Sequence, residues 1–212
     1  MTIATAAIDR VHNDGELDPA NGGPLAACEG PVPADMYVAG HPERPYAWTN
    51  AAQRPPVITF NEIPARGELR AFVGLHEVGH VLDVWAACSQ AGLDPATGYA
   101  LSAAESFLDL AQDTRECKKI KELQQAADPI RDKVFYDYCD YLLDACELFA
   151  RAYAQYVLET AATPVIEAQA QAFDAASRRF RRGINYRWET TDFSRLRTYF
   201  DELLEDLEWC IP

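Results

Sequence analysis

No stretch of this sequence is apolar enough to cross a membrane. Hydrophobic residues make up 49% of the chain and charged residues 25%, whereas a membrane-spanning helix needs about 20 consecutive, predominantly apolar residues. Residues 1–10 also lack the basic segment and apolar stretch that mark a Sec-type signal peptide. We therefore expect a cytoplasmic protein. Delivery by a specialised secretion system leaves no such mark and stays open.

The chain also has few positively charged residues relative to negatively charged ones. The chain has 19 Lys and Arg against 33 Asp and Glu, for a formal net charge of −14. Such a surface repels nucleic acids and anionic membranes, so neither is an expected partner. The one basic cluster, at residues 178–182, falls near the end of a predicted helix, where cations complement the helix dipole. The expected partner is a protein or peptide substrate, and the sequence gives no indication of the oligomeric state.

Disulfide frameworks are not indicated either. The 6 cysteines lie far apart and form no CxxC pair, unlike the dense cysteine patterns of small secreted domains. We expect most of them to be buried, reduced thiols.

Proline is concentrated in the first third of the chain. Nine of the 13 prolines lie between Pro19 and Pro64, so this part cannot be strongly helical. Within it, residues 36–39 and 57–61 have the β-branched and aromatic content of strands. We expect 57–61 to be an edge strand that can pair with an extended substrate. Residues 1–56 are thus predicted to form a Pro/Gly-rich region of loops and short strands, and residues 57–212 the main domain.

The rest of the chain is predicted to be helical. From Glu68 onward, apolar residues recur around nearly the whole circumference of a helix, which indicates a largely buried segment. Ser102 and Glu105 have the spacing of a capping box that would open a helix through Gln125. Further helix starts are indicated at three sites, listed here by the residue that precedes each helix: Asp128, Thr163 and Thr191. The expected fold class is α+β, mostly helical with a small N-terminal sheet.

A metal-binding motif, His76-Glu77-Val78-Gly79-His80, lies inside the predicted buried helix. Four residues are slightly more than one helical turn, so both imidazoles project from the same face. Glu77 lies about 100° around the helix from His76, close enough to bond a metal-bound water without becoming a ligand. Zinc lowers the pKa of its water toward about 7, and the glutamate would take the proton and deliver it to the leaving amine. The motif therefore predicts peptide hydrolysis with Glu77 as the catalytic base.

The alternative interpretation of the motif is a pair of buried, hydrogen-bonded histidines, which is costly without a metal or partners. Gly79 is compatible with both, since it allows close backbone approach. Asp83 follows His80 by three residues, so it could orient an imidazole or be a simple solvated aspartate. His12 and His41 lie in the loop-rich region without paired spacing and are expected at the surface.

A catalytic zinc needs a third protein ligand and an open position. The leading candidate is Glu147, because the small residues Ala150 and Ala154 on its helical face would let this helix pack tightly beneath the metal. Asp144 and Glu147 also have the spacing of a capping box, which is the alternative role. Glu105 is the second candidate for the third ligand.

These residues resemble a known family. The sequence His-Glu-Val-Gly-His-Val-Leu-Asp at 76–83, followed by Glu-Leu-Phe-Ala-Arg-Ala-Tyr at 147–153, resembles HExxH zincin metallopeptidases of the gluzincin type. It is similar to the anthrax lethal factor type of catalytic domain, and to zincin domains of bacterial polymorphic toxins and of phage or plasmid polyvalent proteins. Residues 186–193 are similar to the Tyr/Trp-rich stretch that follows the metal site in the phage and plasmid group. The resemblance covers roughly residues 57–208.

The resemblance implies a zincin fold in which a Zn2+ cofactor is held by His76, His80 and Glu147, with Glu77 as base. It also implies a tyrosine near the third ligand that stabilises the tetrahedral oxyanion.

The tyrosine cannot be assigned from the sequence. The family spacing falls on Asp140, one residue before Tyr141, and Tyr138 lies further upstream.

The sequence therefore predicts a zinc-dependent endopeptidase that cuts a specific protein, as a bacterial toxin or effector or as a phage-associated protease. Its acidic surface would favour a basic target through weak, salt-dependent steering. Two alternatives stay open: a zinc-bearing, non-catalytic interaction module, and a metal-free helical binding protein.

Overall fold

The computed structural model describes residues 26–30, 47–50, 57–61, 69–92, 100–161, 163–180 and 182–206. Three short strands come first in these residues, and seven α-helices follow them. The expectation of a mostly helical chain with a small N-terminal sheet is confirmed for this part of the chain.

The sheet consists of β1 (Ala26–Gly30), β2 (Ala47–Asn50) and β3 (Val57–Asn61), in the order β1-β3-β2. Strand β1 runs parallel to β3, and β2 runs antiparallel to it. Along β3, Ile58 and Phe60 are buried while Thr59 between them is half-buried, the alternation of a strand with one face on the core. Strands β2 and β3 contact the first helix, so the sheet packs on the helix that carries the HExxH motif.

The prediction that residues 57–61 form an edge strand is wrong, because β3 is paired on both sides. The β-branched pattern predicts a strand, but its place in the sheet depends on pairing with distant segments that have weaker local signals. The sheet joins strands from both sides of the expected boundary at residue 57. The predicted strand at 36–39 lies outside the described residues.

Two long helices form the centre of the molecule. Helix α1 (Arg70–Ala91) is buried along most of its length, as predicted, and it contacts helix α5 (Ala145–Ala161) extensively. At the start of α1, the side-chain Oε1 of Gln169 accepts hydrogen bonds from the backbone N–H groups of Ala71 and Phe72, both at 3.1 Å. These bonds satisfy two donors that a helix start leaves without partners.

The single helix predicted from Ser102 to Gln125 is wrong. Residues 101–103 form a 3-10 turn, and α2 (Glu105–Asp113) and α3 (Arg115–Ala126) follow as separate helices. The two helices are separated by Thr114, whose backbone is extended. Thr114 caps the start of α3, because its hydroxyl accepts a hydrogen bond from the N–H of Cys117 at 3.3 Å.

The capping box predicted from Ser102 and Glu105 is also wrong. The residue before α2 is Ala104, which makes no side-chain cap, and Ser102 instead donates its backbone N–H to the carboxylate of Asp83.

The later helix starts agree better with the sequence. Helix α4 (Lys133–Leu143) begins one turn after Asp128, whose carboxylate accepts N–H groups of the intervening turn. Helix α6 (Pro164–Phe180) begins where predicted, capped by Thr163. Helix α7 (Thr190–Asp206) begins before Thr191 rather than after it. It carries the predicted apolar stripe on its buried face: Phe193, Leu196, Phe200 and Leu203. Leu207 lies outside the described residues.

The main hydrophobic core joins the sheet to α1, α2, α5, α6 and α7, and a smaller cluster lies between α3 and α4. Among the cysteines that the structure describes, Cys88, Cys117 and Cys139 are buried, as expected, whereas Cys146 is exposed. Within the described ranges, no helix is both long enough and apolar enough to traverse a lipid bilayer.

Candidate metal centre

Helices α1 and α5 approach each other closely at Gly79. A Cβ atom at this position would lie 2.7 Å from Cα of Ala150 and 3.0 Å from its carbonyl oxygen, closer than any side chain tolerates. The lack of a side chain at Gly79 therefore lets the backbones of the two helices meet. This confirms the expectation that small residues on the α5 face allow tight packing, and it places His76 and His80 of α1 against Glu147 of α5.

The three side chains converge on one point. The Nε2 atoms of His76 and His80 are 3.1 Å apart. The carboxylate of Glu147 reaches both rings, with Oε2 at 3.2 Å from Nε2 of His76 and Oε1 at 3.4 Å from Nε2 of His80. Ligands at zinc bond lengths of about 2.0–2.1 Å in a tetrahedral arrangement lie about 3.3 Å from one another. The three separations are thus of the size found between neighbouring ligands of one zinc ion, with a different carboxylate oxygen of Glu147 nearest each ring.

The state of the Glu147 carboxylate also fits a cation. Its Oε2 atom is buried and makes no hydrogen bond within the described part of the chain, although Nε2 of His76 lies at ion-pair distance. A buried carboxylate oxygen without a hydrogen bond is costly. A divalent ion between the carboxylate and the two imidazoles would satisfy it. These three residues are the group of potential metal ligands found among the described residues.

His80 and Glu147 each shift the pKa of the other. Burial acts to lower the pKa of His80, but the Glu147 carboxylate opposes it and the net pKa is well above the usual range. Burial acts to raise the pKa of Glu147, but His80 and His76 outweigh it and hold that pKa far below its usual range. Each of the two groups thus favours the charged form of the other.

Glu77 lies beside the three potential ligands but is not one of them. It is 6% exposed, and burial raises the pKa of its carboxyl against the opposing effect of His80 and His76. A carboxylate with raised proton affinity next to a metal is suited to accept a proton and return it. This is the arrangement that the HExxH spacing predicts.

Tyr186, which the sequence did not assign to the site, contacts His76 on the side of the ring away from Glu147. The hydroxyl of Tyr186 lies 2.7 Å from Nδ1 of His76 in a buried hydrogen bond. The bond holds the ring with Nε2 turned toward His80 and Glu147; with Nδ1 as donor to the hydroxyl, Nε2 is left unprotonated for a metal. The available signal was the Tyr/Trp-rich stretch at 186–193, which predicts proximity to the site but not this contact.

Asp83 has a different role from either one expected. It is 1% exposed, so the solvated interpretation is wrong. Its Oδ1 accepts the backbone N–H of Ser102 at 2.6 Å, and among the described residues it makes no hydrogen bond to an imidazole. Asp83 therefore anchors the turn at 101–103 to α1. Burial raises its pKa to about 6.

Of the two tyrosines near the position that the family spacing indicates, the structure brings Tyr141 to the site. Burial raises the pKa of its hydroxyl well above the usual value, and the neighbouring Glu147 carboxylate raises it further. Tyr138 lies instead in the smaller core cluster. Asp140 is exposed and accepts a hydrogen bond from Gln124 at 2.8 Å.

The second candidate ligand is not at the site. Glu105 is exposed at the first turn of α2. Of the capping box that was the alternative role for Glu147, only one half forms. The carboxylate of Asp144 accepts the N–H of Cys146 at 3.0 Å. The N–H of Asp144 donates to the carbonyl of Tyr141 rather than to Glu147, whose side chain faces the histidines. His12 and His41 lie outside the described residues.

Comparison of the chain with protein-family models, with curated proteins and with solved structures gives no match. The functional conclusion therefore depends on the geometry of the site itself.

Proposed function

We propose that this protein is a zinc-dependent endopeptidase in which His76, His80 and Glu147 hold the metal and Glu77 is the catalytic base. The observation that carries the proposal is the set of three donor separations, 3.1, 3.2 and 3.4 Å, between side chains of two separate helices. A cluster held only by hydrogen bonds does not require the ligand atoms of all three side chains to face one point.

His76, His80 and Glu147 would hold the zinc ion, which when bound would supply a Lewis acid for a peptide carbonyl and for water. Glu77 accepts a proton from the attacking water and delivers it to the departing amide nitrogen. Its raised pKa supports the second part of this role, because the group must hold the proton until the C–N bond breaks. The hydroxyl of Tyr141, beside Glu147, is the candidate donor to the oxyanion.

The arrangement of elements supports a zincin-like fold. The HExxH helix packs against a small sheet, and the third ligand comes from a later helix that crosses it at Gly79. With the resemblance of residues 76–83 and 147–153, this favours a protease that cuts a specific protein, as a bacterial toxin or effector or as a phage-associated enzyme. The net charge of −14 favours basic targets.

The test compares Glu77→Gln with the wild type on a mixed peptide library, with new peptide N-termini counted by mass spectrometry. We expect both proteins to bind one zinc per chain, and the variant to lose cleavage by about 100-fold or more. Glu105→Gln is the matched control, since it removes the same charge at an exposed position and should retain full activity. Undiminished cleavage by Glu77→Gln would exclude Glu77 as the base.

A zinc-bearing, non-catalytic module is the second candidate, and the burial of the site favours it. The side chains of His76, His80 and Glu147 are only 9%, 16% and 13% exposed, which suits a structural metal closed to substrate. A structural zinc contributes directly to folding, whereas removal of a catalytic zinc affects activity first.

A further inference from the structure

Arg151 is a buried cation within the helix that carries Glu147. It lies one turn after Glu147 in α5 and is 1% exposed. Among the described residues no carboxylate pairs with it. A buried guanidinium without a carboxylate is costly unless hydrogen bonds replace its hydration, so the partners it does have indicate what it stabilises.

Those partners are backbone carbonyls of residues next to the proposed metal site. Nε and Nη2 of Arg151 donate to the carbonyl oxygen of Tyr186 at 3.0 and 2.7 Å. Nη1 donates to the carbonyl of Leu142 at 2.9 Å, the residue after Tyr141. One guanidinium thus joins α5 to the end of α4 and to the segment that carries Tyr186.

The aromatic rings of that segment enclose the same guanidinium. Its Cζ atom lies 5.1 Å from the ring centroid of Tyr186 and 4.6 Å from that of Trp188, within the range of cation–π attraction. Tyr186 also packs edge-on against Phe173, with 4.7 Å between ring centroids. The backbone and ring of Tyr186 are therefore both fixed, and its hydroxyl bonds Nδ1 of His76.

We infer that Arg151 is a positioning residue for the metal centre: by holding Tyr186, it fixes the imidazole of His76 with Nε2 directed at the metal. The inference rests on the proposed zinc site. It assigns to Arg151 a role beyond helix packing, because its two hydrogen bonds to Tyr186 end on a residue whose hydroxyl bonds Nδ1 of a proposed ligand.

The test measures zinc affinity by competition with a chromophoric chelator, and ligand geometry by the visible spectrum of the Co2+-substituted protein. Tyr186→Phe removes only the hydroxyl and should weaken zinc binding about tenfold and alter the cobalt spectrum. Arg151→Lys keeps the charge but loses the paired donors, and should have a similar effect. Arg151→Gln is prepared as a second substitution, so that the test can still be made if Arg151→Lys does not fold.

The decisive comparison is the double variant. If Arg151 acts through the Tyr186 hydroxyl, replacing it in the Tyr186→Phe background should weaken zinc binding by no more than about twofold further. Tyr156→Phe is the matched control: that hydroxyl bonds Asp201 at 2.8 Å on another side of α5, and its loss should leave zinc affinity and the cobalt spectrum unchanged.

Two results would overturn the inference alone while the wild type still binds zinc. One is unchanged affinity in Tyr186→Phe. The other is an Arg151 variant that weakens binding equally with and without the hydroxyl, which would indicate a general structural role. A wild type that binds no zinc would instead overturn the proposed function itself.

Discussion

At the scale of single residues, each of the three proposed ligands has a side chain or a helix that fixes its position. His76 is fixed from behind by the hydroxyl of Tyr186, His80 faces the carboxylate of Glu147, and Glu147 lies at the first turn of α5. None of the three depends on a flexible loop for its position. Such preorganisation is what a metal site needs to select one ion geometry.

Glu147→Gln tests the third ligand. The amide removes the negative charge but keeps nearly the same shape, and it is a much weaker zinc ligand than a carboxylate. We expect zinc affinity to fall by at least about 100-fold, since losing a ligand exceeds the loss of a supporting hydrogen bond. Chelator competition gives the measurement. Equal zinc binding by this variant, with loss in Glu105→Gln instead, would move the ligand assignment to Glu105.

Asp83→Asn tests the cost of a buried carboxylate. The folded-state pKa of Asp83 is raised to about 6, above its unfolded value of about 3.9. The folded state thus binds the proton more tightly, so this group contributes stability at low pH that is lost as pH rises through about 6. Between about pH 5 and pH 7.5, the wild type should lose about 1 kcal/mol of unfolding free energy relative to the variant.

Urea unfolding of both proteins at several pH values, with chelator present, measures this difference. Asparagine can still accept the N–H of Ser102, so the anchor of the 101–103 turn is retained. A gap between the two proteins that is constant with pH would show that Asp83 does not titrate in this range.

At the scale of elements, the crossing of α1 and α5 sets the distance between the ligands. Two ligands come from one helix and the third from the other, so their separation depends on how closely the helices approach at Gly79 and Ala150. Contact between backbones transmits any displacement directly, because well-packed interiors have little free volume.

Gly79→Ala tests this dependence. On helix propensity alone the change would stabilise the protein by about 1 kcal/mol, but the new methyl would meet the backbone of Ala150 at 2.7 Å. Overpacking of this kind costs about 1–3 kcal/mol. We expect a net loss of stability and weaker zinc binding, measured by thermal unfolding and chelator competition. Adding Ala150→Gly should not restore either property, because the nearest atoms belong to the backbone; full rescue would locate the clash at the Ala150 methyl.

Local patterns predicted the elements of the site, and tertiary contacts decided the rest. The positions of His76, Glu77 and His80 follow from helical periodicity, which acts over a few residues. The bond between Tyr186 and His76 spans 110 residues, and no local rule specifies it. The same limit explains the central place of β3, whose strand pattern is local but whose partners are not. The break at Thr114 was missed despite a local signal, since threonine favours a helix start over a helix interior.

At the scale of the whole molecule, the apolar core extends well beyond the three proposed ligands, so we expect the fold to persist without the metal. Most of α5 is buried by apolar contacts, and the main core extends from the sheet to α7. Burial of this kind is the dominant source of folding free energy. A zinc ion would therefore stabilise the protein without being needed for the fold.

Chelation tests this independence. Treatment with a strong chelator should abolish peptide cleavage while helical circular dichroism persists and the melting temperature falls only modestly, in proportion to the zinc binding free energy. Adding zinc back should restore cleavage. Complete unfolding on metal removal would favour the non-catalytic structural module instead.

The most direct test of the central claim is X-ray diffraction from crystals of the protein, recorded on both sides of the zinc absorption edge. The account predicts one anomalous peak per chain at about 2.0–2.2 Å from Nε2 of His76, Nε2 of His80 and a carboxylate oxygen of Glu147, with Glu77 outside bonding distance. A zinc-supplemented crystal with no peak there, and with the two imidazoles hydrogen-bonded to each other and to Glu147, would contradict it.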